Sequence, residues 1–490
     1  MKKRLTKKQM IIFAIGQLGW STLSGIIGAW LVTFFLPTSG DLAKGAVSYI
    51  VPGLIIGGFL TVIGLITALS RVFDAVTDPL IASLSDRSKN PRGRRIPFMQ
   101  IAAVPLAAVT ALLFCIDFGA YDSATGWVNI LWVSVMIVLF YLFMTMYCTP
   151  YNALISEFGK TQEDRMFIST AISLTFFAGT LLAYTPFVFA GLLQGALGFA
   201  WSYRVCFIVL SVLACVCMLL PTFLLKEKDF VEGEPSNENV VKSLVSTFKN
   251  KDFRTFALSD IMYWVGLTMF QTGLPFFVKV SMGFDASIVM VFMGGMTVLS
   301  ACFYPFVTKL VKKFGKKKLV MAGFLGLAIC YAIAAVSSIP GLLPEEGSAN
   351  ILSWVFGVVI MVVSALPMAL LGIIPQSMVA DVAEAEAKTT GENREGMFFA
   401  ARTFAMKFGQ SVAMLLFTSL AIIGATQIEG SNDIVATKIG MLIVAVVAVA
   451  FCVLGAVILF FYREKKIMKT IAKEEDKEFL KAIENEKEPE

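Results

Sequence analysis

The stretch Arg71-Val-Phe-Asp74-Ala-Val-Thr77-Asp78-Pro79 decides the fold of this chain. It places three charged side chains inside an apolar segment of membrane-spanning length, near residues 53–84. Each charge near a bilayer centre costs roughly 2.5–3.5 kcal/mol. Their i, i+3 and i+7 spacing predicts one charged helix face, which must line a cavity or contact partner helices. Structural neutralisation of Arg71 by Asp74 is the alternative, but it leaves Asp78 unexplained.

The composition of the whole chain agrees with a membrane protein. Of 490 residues, 57% are hydrophobic and 16% are charged, whereas a soluble domain carries about 25% charged residues. The eight cysteines show no metal or disulfide spacing, and histidine is absent. Any proton handling must therefore use carboxylates, and imidazole metal sites are excluded.

Apolar segments long enough to span a membrane recur along the chain. Twelve are predicted, near residues 11–36, 53–84, 98–117, 127–154, 167–192, 203–225, 255–279, 287–310, 319–338, 351–380, 397–423 and 436–462. The first is expected to be an uncleaved helix, because its apolar run extends well beyond that of a signal peptide.

The lysine and arginine content of the loops predicts the orientation. The connections after the second, sixth and eighth segments are rich in cations, whereas 118–126 and 339–350 have none and 37–52 has only Lys44. Both termini are therefore predicted to be cytoplasmic, in the cell membrane. This asymmetry also explains the net charge of +6 without a nucleic-acid partner.

A polar connection at 226–254 separates two groups of six segments. We predict an N-terminal six-helix bundle at 1–225, a cytoplasmic middle loop at 226–254, a C-terminal bundle at 255–462 and a solvated, charged tail at 463–490. Gly93-Arg-Arg95 after the second segment is matched by Gly315-Lys-Lys-Lys318 after the eighth. Six plus six spans with related halves predict an all-α polytopic membrane protein with the pseudo-symmetric plan of major-facilitator transporters.

Four motifs resemble those of the glycoside–pentoside–hexuronide:cation symporter family. They are R-x-x-D-A-x-x-D-P at 71–79 with D-R…G-R-R-x-P at 86–97; T-P-Y-N-A-L at 149–154 followed by Glu163-Asp-Arg165; Asp381-Val-Ala-Glu384-Ala-Glu386; and Gly391-Glu-Asn-Arg394-Glu-Gly396 leading into Lys407. The resemblance covers nearly the whole chain. It implies a cation-coupled sugar symporter whose cation site is formed by Asp74 and Asp78.

The chain also departs from the family pattern. Cys148 stands at a helix-four position where galactoside-carrying members have an aspartate, and Thr77 replaces a helix-two asparagine. Ser21 and Ser173 align with the charged pair that recognises galactosides. The resemblance therefore implies that the coupling carboxylates are kept while the galactoside recognition pair is not.

The carboxylates themselves indicate cation chemistry. Two carboxylates one helical turn apart in low dielectric do not both ionise cheaply unless a cation lies between them. Asp74, Asp78, Thr77 and Thr145 offer oxygen ligands suited to a sodium ion, whereas the Cys148 thiol is a poor ligand and favours a proton. The coupling ion is thus H⁺ or Na⁺, and no other cofactor is expected.

Two cations of the eleventh segment differ in predicted role. Lys407 lies about ten residues in, roughly 15 Å deep at 1.5 Å per residue, and is predicted to face the cavity and the carboxylates; a structural lysine is the alternative. Arg402 lies nearer the end and is predicted to anchor the helix at the membrane interface.

Hydroxyl, amide and aromatic side chains recur on the candidate pore helices, as a sugar requires. Such residues also join membrane helices, which is the alternative for each one. The predicted substrate-binding residues are Gln17, Trp20, Ser21, Tyr147, Asn152, Ser173, Tyr263, Trp264, Gln271 and Gln410.

Charged residues at the cytoplasmic helix ends are predicted to lock one conformation, with topology signalling as the alternative. The predicted gating residues are Arg71, Asp86, Arg87, Arg94, Arg95, Arg165 and Arg394.

The sequence as a whole predicts a symporter that imports a glycoside, pentoside or hexuronide with H⁺ or Na⁺ by rocking of its two halves. We expect a monomer in the bilayer and no enzyme chemistry. A lysolipid, amphiphile or drug carrier of the same fold is one alternative. A membrane sugar sensor is another, although 463–490 carries no recognisable signalling module.

Overall fold

The computed structural model describes residues 4–53, 60–86, 88, 90–116, 118–159, 162–230, 247–390, 395–425 and 435–471. Long helices dominate this part of the chain. They are α1 (Lys7–Phe35), α2 (Ser39–Ala43), α3 (Val62–Asp86), α4 (Ile96–Phe114), α5 (Gly126–Phe158), α6 (Gln162–Tyr184), α7 (Pro186–Leu224), α8 (Glu227–Phe230), α9 (Lys251–Phe276), α10 (Ser287–Phe314), α11 (Lys316–Ser337), α12 (Ile351–Thr390), α13 (Glu395–Leu420), α14 (Lys438–Phe460) and α15 (Glu464–Ile471), with a π-helical turn at Phe277–Ser281.

Nine helical stretches of the described residues are long and apolar enough to cross a membrane. One of them, Phe167–Leu224, covers both the fifth and the sixth predicted segments, and Gly198 breaks its helical geometry with a φ of 73°. The nine stretches cover ten of the twelve predicted segments. Helices α3 and α13 occupy the other two, and their charged residues make them less apolar. The predicted all-α membrane fold is confirmed.

The chain divides into two compact units. One consists of Met1–Glu238, Ala286–Met290 and Thr426–Val435, and the other of Asn239–Asp285, Val291–Ala425 and Ala436–Glu490. In the first unit, α1 packs on α6 and α7, and α4 packs on α5 and α7. In the second, α9 packs on α13 and α14, and α11 packs on α12 and α14. The same packing scheme thus occurs in each unit, with α9 in the place of α1.

A close glycine contact repeats within this scheme. A Cβ atom at Gly179 of α6 would lie 2.6 Å from the Leu18 carbonyl oxygen of α1. A Cβ atom at Gly409 of α13 would lie 2.8 Å from the Ile261 carbonyl oxygen of α9. Both helix pairs approach so closely that a larger residue would displace backbone. These two contacts therefore fix the register between corresponding helices of the two units.

A buried glutamate caps the start of one helix in each unit. Glu227 accepts hydrogen bonds from the backbone N–H groups of Arg94, Arg95 and Ile96, at 2.8–2.9 Å, where α4 begins. Glu464 accepts them from Lys316 and Lys317, at 2.7 and 3.1 Å, where α11 begins. A carboxylate is favourable there because helix N-termini carry unpaired donors and a partial positive charge.

The glycine before each of these helices has a conformation that other residues rarely adopt. Gly93 has a φ of 134° and Gly315 a φ of 82°. A Cβ atom at Gly93 would also collide with the Glu227 carboxylate. The sequence echo between Gly93-Arg-Arg95 and Gly315-Lys-Lys-Lys318 therefore marks a capped turn that occurs once in each unit.

The beginning of the predicted tail is folded rather than solvated. In α15, Ile467, Met468 and Ile471 are buried, and the last two pack against Val311 and Ala385. Burial and the nearby carboxylates of Asp381, Glu464 and Asp252 raise the pKa of Tyr462 far above its usual range, so its phenol stays neutral. The prediction of a solvated segment is therefore wrong for residues 464–471, because an apolar stripe was present among the charges.

Candidate functional site

Helix α3 has two unlike faces. Leu69, Val76 and Leu80 are 59, 54 and 55% exposed, as lipid-facing side chains would be. Asp74 and Thr77 are buried at 3 and 7% exposure, and α3 packs on α5. The predicted separation of charge from lipid is thus what the helix shows.

The two aspartates of α3 converge on one hydroxyl of α5. Thr145 Oγ1 lies 2.8 Å from Asp74 Oδ1 and 3.1 Å from Asp78 Oδ1. A hydroxyl donates one hydrogen bond, so it cannot satisfy both carboxylates at once. The arrangement brings three oxygen atoms together in a largely buried place, where a proton or a metal cation would relieve the repulsion between the carboxylates.

Arg71 contributes less to this cluster than a strong ion pair would. Its Nη1 lies 3.9 Å from Asp74 Oδ2, and its guanidinium carbon lies 4.7 Å from the centre of the Tyr141 ring. Its Nε is buried without a hydrogen-bond partner. One arginine at this distance compensates two carboxylates only in part.

The remaining predicted cation ligands differ in position. The Thr77 hydroxyl donates to the backbone carbonyl of Asp74 at 3.0 Å, so its hydrogen is not used by either carboxylate. Cys148 lies one helical turn after Thr145, with its Sγ 3.5 Å from Met144 Sδ. Lys407 lies in α13 of the other unit and is buried at 8% exposure. The structure thus brings Asp74, Asp78 and Thr145 together.

The second unit contains a charged pair that the sequence analysis missed. Arg402 donates from Nε and Nη2 to the two carboxylate oxygens of Asp260, at 3.0 and 3.3 Å. The Asp260 and Arg402 side chains are 1 and 11% exposed. Arg402 was predicted to anchor α13 at the interface; it is instead buried, because Asp260 pairs with it. A single carboxylate within the apolar seventh segment was the signal that could have identified Asp260.

Several predicted substrate-binding hydroxyls bond to backbone. Tyr147 Oη donates to the Met218 carbonyl at 2.9 Å and Ser21 Oγ to Leu18 at 3.2 Å, and both side chains are buried. Ser173 is exposed and donates to Ser169 at 2.9 Å. These bonds give the three hydroxyls structural roles. Their part in binding stays a prediction.

Other polar atoms in the same set are buried without a hydrogen-bond partner: Trp20 Nε1 in the first unit, and Trp264 Nε1 and Gln410 Oε1 in the second. Thr268 Oγ1, one turn after Trp264, is in the same state. The Trp264 indole is nevertheless close enough to Asp260 to interact with its carboxylate. Unpaired buried polar atoms are rare in folded proteins and indicate an unseen partner such as water or a ligand.

The other predicted binding residues vary in exposure. Gln17 and Tyr263 are buried, Gln271 is half-buried and Asn152 is exposed. The Tyr263 ring lies 5.2 Å from the Trp264 ring.

The predicted gating residues are only partly described. The backbone N–H groups of Arg94 and Arg95 bind Glu227, as above. Arg87 and Arg394 lie outside the described residues, as do the side chains of Asp86 and Arg165.

The fold matches that of solved membrane transporters. A crystal structure of a D-xylose–proton symporter superimposes with a TM-score of 0.63 at 14% identity, and the match covers 94% of this chain and 98% of that chain. Two units of spanning helices with buried charges define this molecule as a multi-pass membrane transporter of the major-facilitator class.

The family follows from the sequence. Residues 12–465 match the family model described as MFS/sugar transport protein, and the chain belongs to that family. This confirms the predicted transporter class and the prediction that the chain is not an enzyme.

Curated relatives of this chain are symporters. It is 26% identical to the uncharacterized symporter YjmB of Bacillus subtilis over 94% of this chain and 93% of the relative. It is 25% identical to the putative glycoside/cation symporter YagG of Escherichia coli over 72% of each. It is also 22% identical to the sodium-dependent lysophosphatidylcholine symporter 1-A of Danio rerio over 84% of this chain and 77% of the relative.

Proposed function

We propose that this protein is a secondary symporter that imports a sugar together with a proton or a sodium ion by alternating access. It works as a monomer in the cell membrane, with both termini in the cytoplasm. The coupling ion occupies the site formed by Asp74, Asp78 and Thr145. Membership in a sugar-transport family and the likeness to a glycoside/cation symporter support the substrate class.

One observation carries the coupling proposal: both carboxylates lie within 3.1 Å of the same hydroxyl oxygen of Thr145. When the site is empty, the two negative charges repel in a medium of low dielectric. A bound cation removes that repulsion and lets α3 pack differently against α5. Ion binding is thereby linked to the conformation of the transporter.

The identity of the ion follows from the ligands. Sodium prefers several oxygen ligands, and the converging oxygens belong to Asp74, Asp78 and Thr145, while the Thr77 hydroxyl donates to backbone. A proton needs only one carboxylate oxygen and a hydrogen-bond acceptor. The donor set therefore favours a proton over sodium.

The decisive variant is Asp78→Asn, which removes one negative charge and nearly keeps the shape. Without the charge, the site has no strong reason to capture a cation. In proteoliposomes, uptake driven by a proton or sodium gradient should fall by at least about tenfold, the factor that corresponds to 1.4 kcal/mol. Exchange of sugar down its own gradient should persist, because the predicted sugar-binding residues lie on other helices.

The matched control is Asp41→Asn, which removes a buried carboxylate of the same unit outside α3. It should keep gradient-driven uptake. If Asp78→Asn accumulates sugar like the parent, the carboxylate pair is structural and the protein is a facilitator rather than a symporter.

A second candidate function is the import of a lysolipid, and the extended similarity to a lysophosphatidylcholine symporter favours it. The same proteoliposomes separate the two candidates. Lysophosphatidylcholine should compete poorly with a panel of glycosides, pentosides and hexuronides below its micelle concentration. Strong competition by the lysolipid, with none by sugars, would make it the substrate.

The orientation is testable with single cysteines. Lys318 and Ser123 are both exposed, at opposite ends of the predicted spans. In a variant that lacks the native cysteines, a cysteine at position 318 should react with a membrane-impermeant maleimide only in inverted vesicles. A cysteine at position 123 should react in intact cells. The reverse pattern would overturn the predicted topology.

A further inference from the structure

The Asp260–Arg402 pair is asymmetric in its exposure. The Asp260 side chain is 1% exposed, whereas that of Arg402 is 11% exposed. Arginine has five N–H donors, and the two bonds to Asp260 use one on Nε and one on Nη2. The carboxylate is thus covered while part of the guanidinium remains open to a further acceptor.

Polar atoms that lack a partner lie on the same two helices. Trp264 and Thr268 follow Asp260 at intervals of four residues, so the three share one face of α9. Trp264 Nε1 and Thr268 Oγ1 are buried without a hydrogen bond, and so is Gln410 Oε1 of α13. Gly409 lets α13 approach within van der Waals distance of Trp264. Two donor-bearing groups and one acceptor therefore accompany the open edge of Arg402.

These features indicate a ligand with both hydroxyls and an anionic group. A structural ion pair alone would leave no reason for three unpaired polar atoms on the adjoining turns, since each one costs free energy. Hydroxyls of a sugar can satisfy the indole, the threonine and the glutamine. A planar guanidinium matches a carboxylate best, because two parallel N–H groups can bind its two oxygens.

We propose that Arg402, oriented by Asp260, binds the carboxylate of an acidic sugar, so that the substrate is a uronide. Trp264, Thr268 and Gln410 bind its hydroxyls. Asp260 is a positioning residue: it holds the guanidinium from the covered side. The inference rests on the proposed function and narrows its substrate class to sugar acids.

The test compares two ligands that differ only in the carboxylate: 4-nitrophenyl β-D-glucuronide and 4-nitrophenyl β-D-glucoside. Their Kd values are measured by calorimetry on the purified full chain in detergent. The parent should bind the glucuronide at least about tenfold more tightly, as one charged hydrogen bond provides. In Asp260→Asn/Arg402→Gln this ratio should fall to about one, with the glucoside Kd changed less than about threefold, because neutral hydrogen bonds remain.

Two further variants complete the design. Arg402→Lys keeps the charge but loses the planar fork and should give an intermediate ratio. The control is Asp252→Asn/Arg463→Gln, which removes another two-contact arginine–aspartate pair of the same unit, with bonds of 2.7 and 2.9 Å. It should leave the glucuronide-to-glucoside ratio unchanged.

A parent that binds the glucoside as tightly as the glucuronide would overturn the inference. So would an equal loss of both ligands in Asp260→Asn/Arg402→Gln, because a purely structural pair affects both alike. Failure of the proposed function looks different: no sugar of either kind would be driven by a cation gradient. Gradient-driven uptake of the glucoside without a preference for the glucuronide contradicts only the inference.

Discussion

The two units share a packing scheme but differ in the charges they bury. In the first, two carboxylates lie near one hydroxyl, and the nearest cation, Arg71, is 3.9 Å from Asp74. In the second, Asp260 has a two-contact partner in Arg402. The first cluster carries excess negative charge and is suited to an exchangeable cation. The second is already neutralised and is suited to hold a fixed shape.

The difference shows where function lies in a duplicated scaffold. Gly179 and Gly409 make corresponding close contacts, and these place Ser21 of α1 and Trp264 of α9 at corresponding positions. Ser21 bonds to its own helix, whereas Trp264 lies beside a charged pair. The scaffold repeats because helix packing depends on small residues at fixed positions. The chemistry differs because it depends on a few side chains.

Stability should separate the two charged clusters most strongly. Asp260→Asn leaves Arg402 buried without its counter-ion and should lower the free energy of unfolding by about 3–5 kcal/mol. Asp74→Asn relieves repulsion with Asp78 and should lower it by less than about 1 kcal/mol, since the contact with Arg71 is long. Thermal unfolding in detergent, followed by tryptophan fluorescence, measures both.

The control for this prediction is the double variant Asp260→Asn/Arg402→Gln. Removing both charges leaves no unpaired buried ion, so most of the lost stability should return. Equal destabilisation by Asp260→Asn and Asp74→Asn would remove the distinction between a fixed pair and an exchangeable site.

The glutamate caps allow a finer comparison, because here the units are alike. Glu227 accepts three backbone hydrogen bonds and Glu464 two. Glu227→Gln should therefore cost about 2 kcal/mol and Glu464→Gln about 1 kcal/mol, in the range of helix caps. Protection of the Ile96 and Lys317 amides against hydrogen exchange gives a local measure.

The control for the caps is Lys318→Gln, which changes an exposed charge beside the capped turn of α11 and should have no measurable effect. If Glu464→Gln proves costlier than Glu227→Gln, the count of backbone bonds does not set the strength of the cap.

Much of the fold was predictable because membrane spans carry strong sequence signals. Apolar length located the helices, and the Arg71–Pro79 stretch identified a polar face on α3. The convergence of Asp74 and Asp78 on Thr145 could be expected only in outline, since it depends on how α3 packs against α5.

Other features needed three dimensions. Asp260 and Arg402 are 142 residues apart, and no spacing rule joins them. Glu227 lay in a segment predicted to be a loop, and its bonds to the start of α4 span more than 130 positions. The burial of Ile467 and Ile471 was hidden because the surrounding lysines and glutamates dominate the composition of the tail.

The smallest expected effect concerns Ser21 and Trp264, the corresponding positions of the two units. Ser21→Ala removes a hydroxyl whose hydrogen bond stays within α1, so stability should change by about 0.5 kcal/mol, the low end for such a bond. The glucuronide Kd should not change. Trp264→Phe keeps most of the ring but removes Nε1–H, and should raise the glucuronide Kd about threefold to tenfold if that group binds substrate. The two variants are compared by calorimetry after both pass the same thermal-unfolding assay. A larger effect of Ser21→Ala on affinity would place the substrate against α1 and reverse the assignment of recognition to the second unit.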